Sequence, residues 1–234
     1  MLVRFPKAPH SARVHLVTPS IVDRVVARRG VQGILTESER AVLDGLSVER
    51  RRGDWLAGRL AAKRALRAAC RRRGEPVPAY TAIEIRNDSR GAPRFAIAGR
   101  PDLDHHLDIS IAHSNGTAVA AIADRLASGT VGVDVEVTKP LPMHLLKRVL
   151  RPDEIACLDT LSNSAPTALE MWTAKEATLK AARHLCDALR DVELSWTPRR
   201  FIRARIAGTG VPAHSILVRH RVAGPYTIAL AICR

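Results

Sequence analysis

The 234-residue sequence predicts an α+β fold in two lobes. Helix-patterned and strand-patterned stretches occur both before and after the polar, glycine-containing segment DRLASGT (124–130), and no regular alternation of strand and helix links them. That segment divides an N-terminal lobe, residues 1–126, from a C-terminal lobe, residues 127–234. Each is long enough to bury a core of its own.

The first forty residues show little periodicity, except that Thr36 followed by acids in TESERAVLDGL (36–46) has the form of a helix start. Glu49–Arg73, ERRRGDWLAGRLAAKRALRAACRRR, is rich in helix formers. Its Arg59, Lys63, Arg67 and Arg71 recur every four residues, a stripe that reads as a solvated helix face. TAIEIR, NDSRGAP and RFAIA read as strand, turn and strand, a hairpin. Two short apolar runs flank AHSNGT in 106–123 and place His113 at a strand end.

In VGVDVEV (131–137) the period of two puts the valines on one face and Gly132, Asp134 and Glu136 on the other. The valines are expected to build a core. The two carboxylates, with Cβ atoms roughly 6–7 Å apart, repel unless a cation or a basic partner lies between them. Helical patterns follow at 142–150, 152–161 and 166–185. Strand patterns VELSW, RFIRARIA, HSILVRHRVA and YTIALAIC then alternate with Pro and Gly turns.

Lys and Arg total 37 against 23 acids, and the formal charge of +14 points to an anionic partner: nucleic acid, a phosphate-rich small molecule, an anionic membrane or an acidic protein. With only three Trp, two Tyr and three Phe, a binder that stacks single-stranded bases is disfavoured. Cys70, Cys157, Cys186 and Cys233 form no C-x-x-C pair, so neither a zinc site nor a disulfide framework is indicated. No apolar run approaches ~18 residues, so a cytoplasmic protein without a membrane segment is expected.

MWTAKEATLKAA (171–182) is helical by pattern. Taken alone, Glu176 and Lys180 would make a surface ion pair worth about 0.2–0.5 kcal/mol. Beside Asp134 and Glu136, Glu176 would instead complete an oxygen-rich site suited to Mg²⁺.

GVDVE (132–136), followed by WTAKEATLK (172–180) and preceded by ISIAHS (109–114), resembles the 4′-phosphopantetheinyl transferases of the Sfp type. Every fixed position of that family's G-[VI]-D-[VI]-E and W-[ST]-x-K-E-[AS]-x-x-K pattern is met, and the resemblance runs from about Glu49 to Leu194. It implies two similar α+β lobes related by a pseudo-twofold axis, with coenzyme A in the cleft between them. The implied reaction moves the phosphopantetheine arm of coenzyme A to a serine of an acyl or peptidyl carrier protein and releases adenosine 3′,5′-bisphosphate. By the same resemblance Asp134, Glu136 and Glu176 would hold Mg²⁺, with Mn²⁺ an alternative, Glu176 would be the general base and Lys180 would meet the pyrophosphate. Lys175, about 100° around the helix from Glu176, joins the implied coenzyme A set. So do Arg51 or Arg52, Arg59, Lys63, Ala112 and His113, the last for the ribose 3′-phosphate.

Gly91 and Pro93 match the family's G-[KR]-P loop, but Ala92 replaces the basic residue, with Arg90 and Arg94 on either side. Ala112 stands where many members have serine. Length favours a monomer of the broad-specificity kind, acting on acidic carriers rather than on nucleic acid or membranes. The competing readings are a nucleic-acid binder using the basic helix, and a coenzyme A binder without transfer activity.

Overall fold

The computed structural model describes residues 1–5, 12–159, 167–196, 202–208 and 216–234, and it is α+β. The chain divides into two compact units that change over between Ala127 and Ser128. The first contains β1 (Leu2–Val3), β2 (Arg13–Val17), α1 (Pro19–Arg29), α2 (Glu37–Asp44), α3 (Glu49–Arg72), β3 (Ile83–Asn87), β4 (Pro93–Ile97), α4 (Asp102–His106), β5 (Leu107–Ser114) and β6 (Thr117–Asp124), followed by the short α5 (Arg125–Ser128). Strands β1-β2-β6-β5 form one antiparallel sheet, and β3 and β4 form the expected hairpin. The weakly periodic N-terminal stretch yields β2 and α1. Pro19 opens α1, and Arg28, Arg29 and the left-handed Gly30 (φ 64°) close it. Helix α3 lies against β6, β2 and β5, and its buried Ala57, Ala61, Ala65 and Ala69 permit a close approach to the sheet.

The second unit contains β7 (Thr130–Val137), α6 (Met143–Val149), α7 (Pro152–Asp159), α8 (Ala168–Ala181), β8 (Val192–Trp196), β9 (Ile202–Ile206), β10 (Ile216–Ala223) and β11 (Tyr226–Cys233). Its sheet is antiparallel in the order β7-β11-β10-β9-β8, with α8 packed on β7, β11 and β10. The ends of the sequence-read segments at 160–161, 166, 200–201 and 214–215 lie outside the described residues. Among the described residues no helix is long and apolar enough to cross a membrane, and all four cysteines are free thiols.

The second unit repeats the path of the first. A first strand, short helices, one long helix, a hairpin and two final strands follow in turn, and β7-β11-β10 repeats the order β2-β6-β5. A buried ion pair recurs with it. In the first unit Lys63 Nζ of α3 lies 2.5 Å from Glu39 Oε2 of α2 and also donates to the carbonyls of Ile34 and Tyr80, while Glu39 Oε1 accepts the Ile85 N–H of β3. In the second, Lys175 Nζ of α8 lies 2.8 Å from Glu154 Oε2 of α7 and donates to the carbonyls of Leu189 and Val192, while Glu154 Oε1 accepts the Leu194 N–H of β8. Buried charges are tolerated when paired and fully hydrogen-bonded. Here each pair ties a short helix, a long helix and a hairpin together.

The faces of β7 divide as the period of two predicts, with the valines buried on one of them. Gly132 lies against α8, where an added Cβ would stand 1.9 Å from the Ala177 carbonyl oxygen and 2.5 Å from the Ala181 nitrogen. Asp134 and Glu136 share that face by the period of two. The acids are therefore on the helix side of the sheet. Val131, Val133 and Val135 are buried on the opposite face, and the core beneath α8 is built from Met171, Ala174, Ala177, Val218, Ala229 and Ala231 instead.

Candidate functional site

The close approach at Gly132 brings the C-terminal half of α8 over Asp134. Thr130 Oγ1 donates to the Ala181 carbonyl at 2.7 Å, fixing the strand and helix ends together. Lys180 Nζ then lies 2.8 Å from Asp134 Oδ1, while Asp134 Oδ2 is buried and has no hydrogen-bond partner among the described residues. Burial pushes the Asp134 carboxyl up to about 7; Lys180 opposes that rise, and the charges of Glu176 and Glu136 add to it. Lys180 thus reaches across to the strand.

These carboxylates suit a hard divalent cation in their donor chemistry, and the unpartnered Asp134 oxygen gives such an ion a ready ligand. Among the described residues, however, no three Asp, Glu, His or Cys side chains gather closely enough to hold a metal ion. The Lys180 ammonium supplies the positive charge at Asp134.

The first unit carries a separate pocket of about 420 Å³, whose lining includes Arg51, Arg59, Gly91, Pro93 and His113. Five residues anticipated from the sequence are therefore gathered from α3, the β3–β4 turn, the first residue of β4, and β5. The Arg59 guanidinium lies 4.5 Å from the centre of the Trp55 ring, and its buried Nε has no hydrogen-bond partner among the described residues. Asp88 shapes the β3–β4 turn by accepting from the N–H groups of Arg90 and Ala92 and from Arg94 Nε. Gly91, at φ 79°, occupies the left-handed position that this turn requires.

The structure corrects several residue assignments. Lys63 and Lys175 have no exposed surface and are committed to Glu39 and Glu154, which leaves neither amine available to coenzyme A. Arg52 turns away to the carbonyls of Leu43 and Leu46, so Arg51 is the arginine of that pair in the pocket. Ala112 is buried, and strand alternation points its side chain away from the face of Ile111 and His113. The basic stripe of α3 is a solvated face only at the exposed Arg71: Arg59 stacks on Trp55, Lys63 is in the core, and Arg67 donates to the Pro78 carbonyl over the Tyr80 ring. Asp54, Trp55 and Asn87 also line the pocket and were missed. An acid at 54 inside a run of arginines was the available signal.

Residues 130–231 match the model of the 4′-phosphopantetheinyl transferase superfamily. The chain is 31% identical over 137 residues to the 4′-phosphopantetheinyl transferase Npt of Nocardia iowensis, covering 58% of this chain and about half, 53%, of that protein. It is 38% identical over 101 residues to a holo-[acyl-carrier-protein] synthase of Halalkalibacterium halodurans, covering 43% of this chain and 81% of that one. A solved holo-(acyl-carrier-protein) synthase of Bacillus anthracis, in complex with CoA (3′,5′-ADP), aligns at 28% identity and a TM-score of 0.39, over 49% of this chain and 94% of the other. With GVDVE and WTAKEATLK both inside the matched segment and four-fifths of the Halalkalibacterium protein covered, the chain belongs to the 4′-phosphopantetheinyl transferase superfamily.

Proposed function

We propose that this protein transfers the 4′-phosphopantetheine arm of coenzyme A to a serine hydroxyl of an acyl or peptidyl carrier protein. The observation that carries the reading is the 2.8 Å contact of Lys180 with Asp134, which joins the helix motif to the strand motif within one unit. In the reaction the serine oxygen attacks the phosphorus bearing the arm, its proton passes to the Glu176 carboxylate, and the bond to the departing adenosine 3′,5′-bisphosphate oxygen breaks. Lys180 offers positive charge to the pyrophosphate oxygens as that bond breaks. Asp134, Glu136 and Glu176 would hold Mg²⁺ or Mn²⁺ only once their side chains draw together, since no such trio is gathered among the described residues; the ion would then supply charge neutralisation at the pyrophosphate.

Arg51, Arg59 and His113 suit the anionic nucleotide end of coenzyme A, because they place cationic and polarisable groups in one pocket beside an aromatic ring. The charge of +14 would speed encounter with acidic carriers as well as with coenzyme A. The test is chromatographic release of adenosine 3′,5′-bisphosphate from coenzyme A on addition of an apo carrier protein. Release is expected with the intact carrier and lost when its acceptor serine is replaced by alanine. Release that ignores the serine would contradict the proposal.

A further inference from the structure

An acid in a pocket assigned to an anion needs a reason, because it repels the ligand its neighbours attract. Asp54 is that acid. It sits on α3 with a nearly buried side chain, 11% exposed, and its two oxygens are used differently. Oδ1 accepts the Gly116 N–H at 2.6 Å. Oδ2 lies 3.9 Å from His113 Nδ1 and 3.9 Å from Arg50 Nε. Gly116 and its neighbour Asn115 form the β5–β6 turn, and both have left-handed backbone (φ 75° and 50°). For Asn115 that conformation is uncommon and must be held by its surroundings. The charged bond from Asp54 to the Gly116 N–H is such a restraint, since a hydrogen bond to an ionised acceptor is about twice as strong as a neutral one. His113 precedes this turn by two residues with its side chain 54% exposed. With the Nδ1 edge facing Asp54, the Nε2 edge is the one left for a ligand.

We infer that Asp54 is a positioning residue, which locks the β5–β6 turn to α3 and turns the His113 ring so that Nε2 meets the ribose 3′-phosphate of coenzyme A. This rests on the assignment of the pocket to the nucleotide end of coenzyme A. The test is calorimetric binding of coenzyme A and of dephospho-coenzyme A to the wild type, Asp54→Ala, Asp54→Asn, His113→Ala and the Asp54→Asn/His113→Ala double variant. The wild type is expected to prefer coenzyme A, and His113→Ala and Asp54→Ala should each cut that preference by about tenfold. Asp54→Asn, which keeps an acceptor for Gly116, should cut it less and have no effect once His113 is alanine. Should Asp54→Ala not fold, Asp54→Asn and the double variant still decide. Loss of the preference in His113→Ala but in neither Asp54 variant overturns the inference, as does an equal loss of both ligands in the Asp54 variants. Unchanged preference in His113→Ala removes the pocket assignment itself, and the inference with it.

Discussion

Lys175 Nζ stands 2.8 Å from Glu154 Oε2, with neither side chain more than 2% exposed, and the same pairing recurs between Lys63 and Glu39 in the other unit. In each case the carboxylate also accepts a backbone N–H of a strand, Leu194 or Ile85. Lys175 is anchored on the residue just before Glu176, so the pair fixes the rotation of α8 and hence where Glu176 and Lys180 point.

Breaking one such pair leaves a buried charge uncompensated. Lys175→Met or Glu154→Gln alone should therefore cost about 3–5 kcal/mol in denaturant unfolding. The double variant should recover a large part of that loss. Equal and additive losses would mean the pair is not coupled.

Gly132 has no room for a side chain. Gly132→Ala should lower stability by about 1–3 kcal/mol, the usual cost of overpacking, and should reduce transfer more than stability alone explains, because α8 must lift off Asp134. A variant with wild-type melting temperature and wild-type transfer would show that α8 does not rest on Gly132.

Asp134 is held in a place that disfavours its charge, with no partner for Oδ2 among the described residues. Asp134→Asn removes that charge in nearly the same shape. Thermal stability should be unchanged or higher, while transfer falls by at least about 100-fold. A binding titration with Mg²⁺ should lose its heat in the same variant. Full activity in Asp134→Asn would remove this carboxylate from the site.

Acid sensitivity should come from two half-buried histidines. Burial is the main cause that lowers His220 on β10 and His15 on β2 to about 4, from 6.5. As pH falls below 6.5 the unfolded chain takes up these protons before the folded one does. Their stabilising contribution is thus complete above pH 6.5 and is lost toward pH 4, with a slope of up to about 1.4 kcal/mol per pH unit for each histidine. Urea titrations from about pH 7.5 to about pH 4.5 measure it. His220→Gln should flatten the dependence by about one proton; an unchanged slope would rule His220 out as a source.

Parts of both units could be read from local pattern. The strand of 131–137, the helix carrying Glu176 and the β3–β4 hairpin all follow from short-range periodicity and turn residues. The directions in which side chains are committed did not. Lys63 reads as one charge in a solvated stripe because its partner, Glu39, is 24 residues away in sequence. The valines of β7 mark a buried face, but that α8 lies on the opposite one is set by Gly132, whose lack of a side chain gives no hydrophobic signal. Arg52 and Arg51 are equivalent in composition, and only the nearby carbonyls of Leu43 and Leu46 separate them.

The central claim is that this chain moves a phosphopantetheine arm. Intact-mass spectrometry of an apo carrier protein incubated with coenzyme A and Mg²⁺ tests it most directly, with the Glu176→Gln variant and an EDTA sample alongside. A gain of about 340 Da, the mass of the transferred arm, is expected with the wild type and none in either control. A carrier of unchanged mass, across fatty-acid, polyketide and peptide types and with coenzyme A bound to the enzyme, would contradict it.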